Sequence, residues 1–276
     1  MNLVTQKFDD SFEIIVINDG STDGTKKIVL NYVKIYKNVR LINQFNQGVC
    51  KARNLGAANS KYGIIINLDS DCYVKQNWLS EIVNGFKNKK TGIVSSFDYY
   101  GGTSTGFRKN LFQKVGGYSE EYQFYREDTD LSFKIMQLGY KFKLINRNFE
   151  HDSQNLAFKI TLKNIVKYGL NRLKVHWNDV LLFKRHGNLK ECISFLHVKH
   201  GFMVDWFHDF SISTGLWTAP EKPIGKLELS SPRGIVFLEN KTPIHFVVII
   251  FIGFCYVFAL KFSRLLGSIK HGKFLL

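Results

Sequence analysis

The sequence has few cysteines, and their spacing argues against two kinds of protein. Cys50, Cys72, Cys192 and Cys255 form no C-x-x-C pair, so neither a zinc knuckle nor a disulfide framework is indicated. A reducing cytosol is the default expectation. The N-terminal stretch MNLVTQKFDDSF also lacks a basic segment followed by an apolar one, which argues against a secretory signal.

Acidic side chains are also scarce. The 276 residues include 23 Asp and Glu against 38 Lys and Arg, a formal charge of +15. Such an excess predicts an anionic partner, which could be nucleic acid, acidic lipid or a phosphorylated substrate, and charge alone does not choose among them. The 45% share of hydrophobic residues is typical of a globular chain with one large domain, or one domain plus appendages.

Proline is confined to one region of the chain. The four prolines are Pro220, Pro223, Pro232 and Pro243. Their clustering predicts a linker over residues 219–242. The next 18 residues, 243–260, carry no charged side chain, which predicts a transmembrane helix, with a buried core helix as the alternative. Residues 261–276 then form a basic amphipathic tail.

The first 150 residues alternate between strand and helix patterns. Apolar runs predict strands at 12–17, 39–42, 63–68 and 92–97, and helical spacing predicts helices at 25–36, 49–59 and 78–87. This alternation predicts an α/β fold with a parallel sheet covered by helices. Ligands of such sheets bind at the carboxyl ends of the strands.

Acidic clusters stand at two of these strand ends and at the start of a later amphipathic segment. Asp69 and Asp71, in NLDSDC, point to the same side of an extended chain and repel each other unless a cation lies between them. Asp19 lies in the turn INDGSTDGT, and Glu127 and Asp128 begin an amphipathic segment. Each cluster alone also has an ordinary interpretation as a solvated strand end, a turn or a helix cap.

Four motifs in this order resemble the family 2 glycosyltransferases. They are EIIVINDGSTDGT, NQGVCKARNLGAANSKYGIIINLDSDC, GTSTGFRKNLFQKVGGYSEEY and EDTDLSFKIMQLGYKF, and the resemblance covers roughly residues 3–150. The resemblance implies a GT-A fold, which is Rossmann-like with a mostly parallel sheet flanked by helices. It also implies a nucleotide-sugar donor and transfer with inversion.

The resemblance implies roles for the donor side of the site. Asp19 would contact the nucleoside, and Arg53 would lie near the nucleotide or its phosphates. Asp69 and Asp71 would be the D-x-D pair, with Mg²⁺ or Mn²⁺ bridging Asp71 and the diphosphate while Asp69 shares the metal or the ribose. His151 resembles a histidine that some members place on the metal, although a lone histidine is also an ordinary surface or core residue.

On the acceptor side, Asp128 matches the family's catalytic base and Glu127 would orient the acceptor. The absence of a Q-x-x-R-W motif disfavours processive polymer synthesis and favours transfer of a single sugar. A membrane-associated acceptor, a lipid-linked glycan, suits an enzyme held at a bilayer. Because nucleotide sugars are made in the cytosol, a single-pass protein with residues 1–151 as its cytoplasmic catalytic domain is expected.

Residues 152–218 lie beyond the motifs. Lys159, Lys163 and Lys167 repeat every fourth residue, which predicts a helical extension that lies on an anionic membrane, or else a solvated helix packed on the catalytic domain. A nucleic-acid partner is not expected, because no recognised binding motif is present.

The chain departs from the family pattern in two ways. It begins where the family's first strand would already have ended, and Asn18 and Cys72 stand where acidic residues are common. The first departure has two interpretations. Either residues 1–151 are an N-terminally truncated catalytic domain whose true start lies upstream, or a central strand has been lost, which raises the alternative of a catalytically inactive, membrane-bound interaction module.

Overall fold

The computed structural model describes residues 3–97, 100–122, 125–151, 170, 173, 175–214 and 243–276. The chain folds as two compact units, Met1–Ala157 and Phe158–Leu276. The acidic motifs all belong to the first unit, and the apolar segment after Pro243 belongs to the second.

The first unit follows the predicted alternation of strands and helices. Its strands are β1 (Ile14–Asp19), β2 (Val39–Gln44), β3 (Ile64–Asn67), β4 (Cys72–Val74), β5 (Thr91–Ser95), β6 (Thr105–Arg108), β7 (Lys141–Leu144) and β8 (Phe149–His151). Its α-helices are α1 (Thr25–Ile35), α2 (Val49–Asn59), α3 (Trp78–Gly85), α4 (Lys109–Lys114) and α5 (Glu127–Gln137). The prediction of an α/β fold is confirmed.

The sheets are mixed, which corrects the prediction of a mostly parallel sheet. Strands β1 and β2 pair in parallel, and a second sheet has the order β3-β6-β5-β7. Strand β6 is antiparallel to both β3 and β5, whereas β5 and β7 are parallel. Among the described strands β1 and β3 are not paired with each other, so the two sheets are separate ladders. The absence of the family's first strand stays a prediction.

Alternation along β5 separates two cores in the first unit. Ile93 and Val94 are both fully buried, and successive strand residues point to opposite faces. The cluster around Ile93 includes Phe107, Leu111, Leu131 and Ile135. The cluster around Val94 includes Val74, Trp78, Ile82, Phe86 and Phe149. Helices therefore cover both faces of the sheet, as a buried α/β sheet requires.

The second unit is mainly helical where it is described. It contains α6 (Trp177–His186), α7 (Lys190–Phe195), the short antiparallel strands β9 (Val198–Lys199) and β10 (Met203–Val204), α8 (Trp206–Thr214) and α9 (Pro243–His271). Helix α9 packs against α6 and α8. The expected linker, 219–242, and the lysine repeat of residues 159–167 lie outside the described residues.

The expected transmembrane helix is not found. In the described part of the chain, no helix has both the length and the apolar character that crossing a membrane requires. Residues 243–260 are the first part of α9, which continues without interruption to His271. Just beyond Leu260, the helix buries Lys261 and Arg264, whose charges pair with carboxylates of α6 and α8. One side of α9 thus packs against the protein and carries charged side chains. The prediction of a membrane helix counted only the uncharged run of residues 243–260 and could not show this.

Candidate functional site

The guanidinium of Arg53 brings together three of the predicted carboxylates. Its Nη1 lies 2.8 Å from Asp128 Oδ1 and 3.2 Å from Glu127 Oε1, and its Nη2 lies 3.1 Å from Asp69 Oδ1. A planar guanidinium presents donors in a fork that can serve several carboxylates at once. Arg53 on α2 therefore connects the end of β3 with the start of α5.

Tyr118 supports this arrangement and was not predicted from the sequence. The Arg53 guanidinium lies 5.3 Å from the centre of its ring, and its hydroxyl hydrogen-bonds to Asp128. The Asn67 side chain also donates to the Tyr118 hydroxyl. Asn54, next to Arg53, holds the Tyr118 backbone through two hydrogen bonds of 2.9 Å. The available signal was the position of Tyr118 inside the third motif, directly after two glycines.

The backbone at Gly101 and Gly102 contacts Asp128 and fixes its position. The Gly102 N–H donates to its carboxylate. At Gly101, where φ is +127°, an added Cβ would lie 2.6 Å from Asp128 Cβ, so only glycine fits. Tyr125 and Arg126 also have positive φ values, 73° and 76°, directly before α5. Two successive non-glycine residues in this region are strained, and such strain concentrates at functional sites.

The carboxyl groups of Glu127 and Asp128 have higher pKa values in the folded protein than in water. Burial raises the pKa of Glu127 to about 7, Asp128 adds to the rise, and Arg53 opposes it. Burial also raises the pKa of Asp128, against the opposing charge of Arg53. Burial likewise keeps the pKa of Tyr118 well above its usual value. Carboxyl groups with a raised pKa, close together, suit general acid–base chemistry near neutral pH.

Asp19 is separate from this cluster and braces the loop between β2 and α2. Its carboxylate accepts hydrogen bonds from Gln44 Nε2 at 2.6 Å, from the Gln47 N–H at 2.8 Å and from the Gly48 N–H at 2.9 Å. Burial acts to raise the pKa of Asp19, but these three hydrogen bonds outweigh it and the pKa is lowered. Asp19 is thus an ionised carboxylate at the carboxyl end of β1, with its nucleoside role remaining a prediction.

The predicted metal ligands are only partly placed. Asp69 is bonded to Arg53, and Asp71 is exposed beside Cys72, whose Sγ lies 3.8 Å from Asp71 Oδ1. Strand pairing sets the backbone of His151 opposite Cys72, while the His151 side chain lies outside what the structure describes. Among the described side chains, no three His, Cys, Asp or Glu residues converge as a metal centre would require. The paired carboxylates are still the donor type that Mg²⁺ and Mn²⁺ prefer.

The sequence model of glycosyl transferase family 2 matches residues 2–152, more than half of the chain. The chain belongs to glycosyl transferase family 2. All the residues of the Arg53 cluster lie within the matched region, so the family match and the geometry concern the same part of the molecule.

Curated relatives of this family 2 glycosyltransferase match over short segments. A glycosyltransferase of Haloferax volcanii, AglE, is 34% identical over 108 residues, which are 38% of this chain and 36% of the relative. A dolichyl-phosphate beta-glucosyltransferase of Trichomonas vaginalis is 44% identical over 62 residues, 22% of this chain and 19% of the relative. The chain thus spans well under half of the length of these relatives.

A solved structure shows the same fold over most of the chain. The mannosyltransferase PcManGT of Pyrobaculum calidifontis, in complex with GDP-Man and Mn²⁺, superposes with a TM-score of 0.60 at 14% identity. The superposition covers 96% of this chain and 81% of the other. The likeness supports the GT-A fold of this family 2 glycosyltransferase, with its mixed sheets.

Proposed function

We propose that the protein transfers a single sugar, with inversion, from a nucleotide-sugar donor to a hydroxyl group of a membrane-associated acceptor. Asp128 acts as the base and takes the proton of the acceptor hydroxyl. The acceptor oxygen then bonds to the anomeric carbon as the bond from that carbon to the diphosphate breaks, releasing a nucleoside diphosphate.

The observation that carries this proposal is the Arg53 cluster. Arg53 contacts Asp69 on the donor side and Asp128 on the acceptor side, at 3.1 and 2.8 Å. A cation in this position can stabilise the negative charge that develops on the departing diphosphate. Glu127 orients the acceptor in this proposal, which its burial beside Asp128 and its raised pKa of about 7 support.

The donor pocket would be completed by Asp19 and by a divalent cation. Asp19 would receive the nucleoside, and Asp71, Asp69 and His151 would hold Mg²⁺ or Mn²⁺. Such a cation would supply positive charge to neutralise the diphosphate leaving group. The mannosyltransferase PcManGT, which shares the fold, binds GDP-Man together with Mn²⁺, and this supports the same donor chemistry here.

The acceptor is a lipid-linked glycan or a related polyprenyl-linked substrate. The dolichyl-phosphate relative supports an acceptor of this class. Since nucleotide sugars are made in the cytosol, the unit that contains Asp128 faces the cytosol.

Release of nucleoside diphosphate from a panel of nucleotide sugars, with and without Mn²⁺, tests the proposal. We expect turnover with at least one donor, dependent on Mn²⁺. Asp71→Asn should abolish it and weaken donor binding in the presence of Mn²⁺. Asp128→Asn should bind the donor normally and lose about two to four decades of transfer rate, the usual contribution of a positioned base.

Glu121→Gln is the matched control, because Glu121 is an exposed carboxylate in the same unit and outside the Arg53 cluster. Near wild-type turnover in Asp71→Asn would contradict the D-x-D role. Weakened donor binding in Asp128→Asn would assign that residue to support of the donor site. Absence of turnover with every donor would favour the inactive interaction module instead.

A further inference from the structure

Helix α9 carries a continuous exposed apolar face. Its exposed large apolar side chains are Val247, Ile250, Phe251, Phe254, Phe258, Phe262, Leu265, Leu266 and Ile269. Their spacing of three or four residues places them along one side of the helix. At 1.5 Å per residue this stripe is about 33 Å long. A single soluble chain rarely leaves so long an apolar strip uncovered, so the stripe indicates a binding surface.

The opposite face of α9 is occupied by the protein itself. Arg264 Nη1 and Nη2 lie 2.6 and 2.9 Å from the two oxygens of Asp209 on α8, and Arg264 Nε lies 3.3 Å from Asp179 Oδ2 on α6. Lys261 Nζ lies 3.0 Å from Asp209 Oδ2. These buried ion pairs fix the rotation of α9 about its axis. The apolar stripe is therefore held outward, since turning it inward would expose four paired charges.

Helix α8 extends the stripe sideways with aromatic rings. Trp206 stacks edge-on against Phe258, with ring centres 5.3 Å apart, and Phe210 lies 4.8 Å from Phe254. Phe207 beside them is 74% exposed, which leaves a whole ring available to a partner. Tryptophan and other aromatic rings are the side chains enriched where protein meets the boundary of a bilayer.

The charged side chains of α9 and of the residues after it have one sign. From Pro243 to Leu276 the chain has no Asp or Glu. Of its four cations, Lys261 and Arg264 are buried in the ion pairs, whereas Lys270 and Lys273 are exposed at the end of the stripe. Apolar side chains in a row beside exposed lysines match an anionic lipid surface.

We propose that α9 lies flat in the surface of an anionic membrane, with its Val247–Ile269 stripe among the lipids and Lys270 and Lys273 at the headgroups. A second copy of the chain is less suited to cover the stripe. If two copies of α9 packed against each other, neither would have an acidic side chain to pair with Lys270 and Lys273 of the other. The attachment is independent of sugar transfer, and it would hold the protein at a membrane surface.

Co-sedimentation of the full chain with lipid vesicles, without nucleotide, tests the proposal. Two compositions are compared, pure phosphatidylcholine and equimolar phosphatidylcholine and phosphatidylglycerol. We expect tighter binding to the anionic vesicles. The variant Phe251→Gln/Phe262→Gln/Ile269→Gln removes three highly exposed apolar groups and should bind at least about tenfold more weakly. Because these positions are exposed, far-UV circular dichroism should show an unchanged fold.

The matched control is Ile28→Gln/Leu30→Gln/Ile35→Gln, which changes three exposed apolar residues on α1 in the other unit. It should bind vesicles as the wild type does. Wild-type binding by the α9 variant, or an equal loss in the α1 variant, would overturn the proposal. Because no donor is present, these outcomes do not depend on whether the protein transfers sugar.

A second pair of variants tests the charge. Lys270→Gln/Lys273→Gln should lose about fivefold per lysine in binding to the anionic vesicles and little in binding to the neutral ones. Lys89→Gln/Lys90→Gln, at exposed positions of the first unit, should change neither. Light scattering of the lipid-free protein adds one more outcome. A dimer that the α9 variant converts to a monomer, together with unchanged vesicle binding, would assign the stripe to a second copy and overturn the lipid assignment.

Discussion

Arg53 connects carboxylates that lie 16 and 75 positions away in the chain, so its geometry is the most demanding feature of the site. Lysine keeps the charge but has no planar fork, and it cannot reach Asp69 and Asp128 with the same pair of bonds. We expect Arg53→Lys to lower kcat/KM for the donor by about ten- to a hundredfold, the value of one charge-assisted hydrogen bond. Steady-state kinetics of nucleoside diphosphate release measure this.

Arg40→Lys serves as the comparison for that experiment. Arg40 Nη2 lies 3.4 Å from Glu13 Oε2, and this ion pair is not part of the Arg53 cluster. It should leave kcat/KM close to the wild-type value. Equal activity of Arg53→Lys and Arg40→Lys would show that Arg53 is only a structural counter-charge.

The Glu127–Asp128 pair predicts a pH dependence. Burial, followed by the charge of Asp128, raises the pKa of Glu127 to about 7, and burial raises the pKa of Asp128. Since Asp128 must be ionised to act as the base and its pKa is raised, kcat/KM should fall as the pH drops. Glu127, with a pKa of about 7, is already largely protonated on the acid side of neutrality, so Glu127→Gln mimics its neutral form and should leave the acid-side limb close to that of the wild type. A pH profile of both proteins, with Glu121→Gln for comparison, decides this.

The same pKa shift has a consequence for stability. The folded state binds the Glu127 proton more tightly than the unfolded chain, whose pKa is near 4.5. Stability should therefore fall as the pH rises from about 4.5 towards about 7. Glu127→Gln should flatten this slope in thermal melts. A wild-type slope retained in the variant would mean that another group carries the proton.

The carboxylates of the cluster could be predicted from the sequence, but their supporting residues could not. Asp69, Glu127 and Asp128 stand in short motifs next to predictable elements. Tyr118 and Gly101 contact Asp128 through the folded chain, and no local pattern reports such contacts. The hydrogen bonds of Asp19 to Gln44 and to the loop after β2 could not be predicted either, because they depend on the path of the chain after β2.

At the scale of elements, the turn at Gly101 positions the start of α5. Gly101→Ala would place a methyl group 2.6 Å from Asp128 Cβ at a φ of +127°, so Asp128 must move. We expect at least about a tenfold loss of kcat, since small displacements of a catalytic group are costly. Gly116→Ala is the matched variant, because Gly116 also has a positive φ, +78°, but open space around it. Both variants should lose stability, and only Gly101→Ala should lose activity in the folded fraction.

Strand β6 and helix α9 show where pattern reasoning at the element scale fails. The segment Thr105–Arg108 is short, begins with Thr and Gly, and becomes an antiparallel strand only because β3 and β5 lie on either side of it. In α9, the apolar run from Pro243 to Leu260 predicted a membrane helix, yet the exposed apolar groups line one side while Lys261 and Arg264 are buried on the other. Both outcomes depend on neighbours that are distant in the sequence.

At the scale of the whole molecule, each unit has its own means of stabilisation, which predicts two separate unfolding transitions. The first unit has the apolar clusters around β5, and Ile93→Ala should cost it about 2–5 kcal/mol through the cavity that remains. In the second unit, Asp209→Ala leaves Arg264 and Lys261 buried without their main counter-charge, which should cost about 3–5 kcal/mol. Calorimetry should therefore show each variant lowering a different transition.

Lys199→Ala tests whether burial causes the effect in the second unit. Lys199 is 62% exposed and pairs with Asp205, and a surface pair of this kind contributes about 0–1 kcal/mol. The transition of this variant should therefore stay close to that of the wild type. A single transition that Ile93→Ala and Asp209→Ala both lower would show that the two units unfold together. In that case, loss of the ion pairs that Asp209 makes with α9 would also destabilise the unit that contains the Arg53 cluster. On heating, Asp209→Ala and Ile93→Ala would then lose sugar transfer at the same temperature.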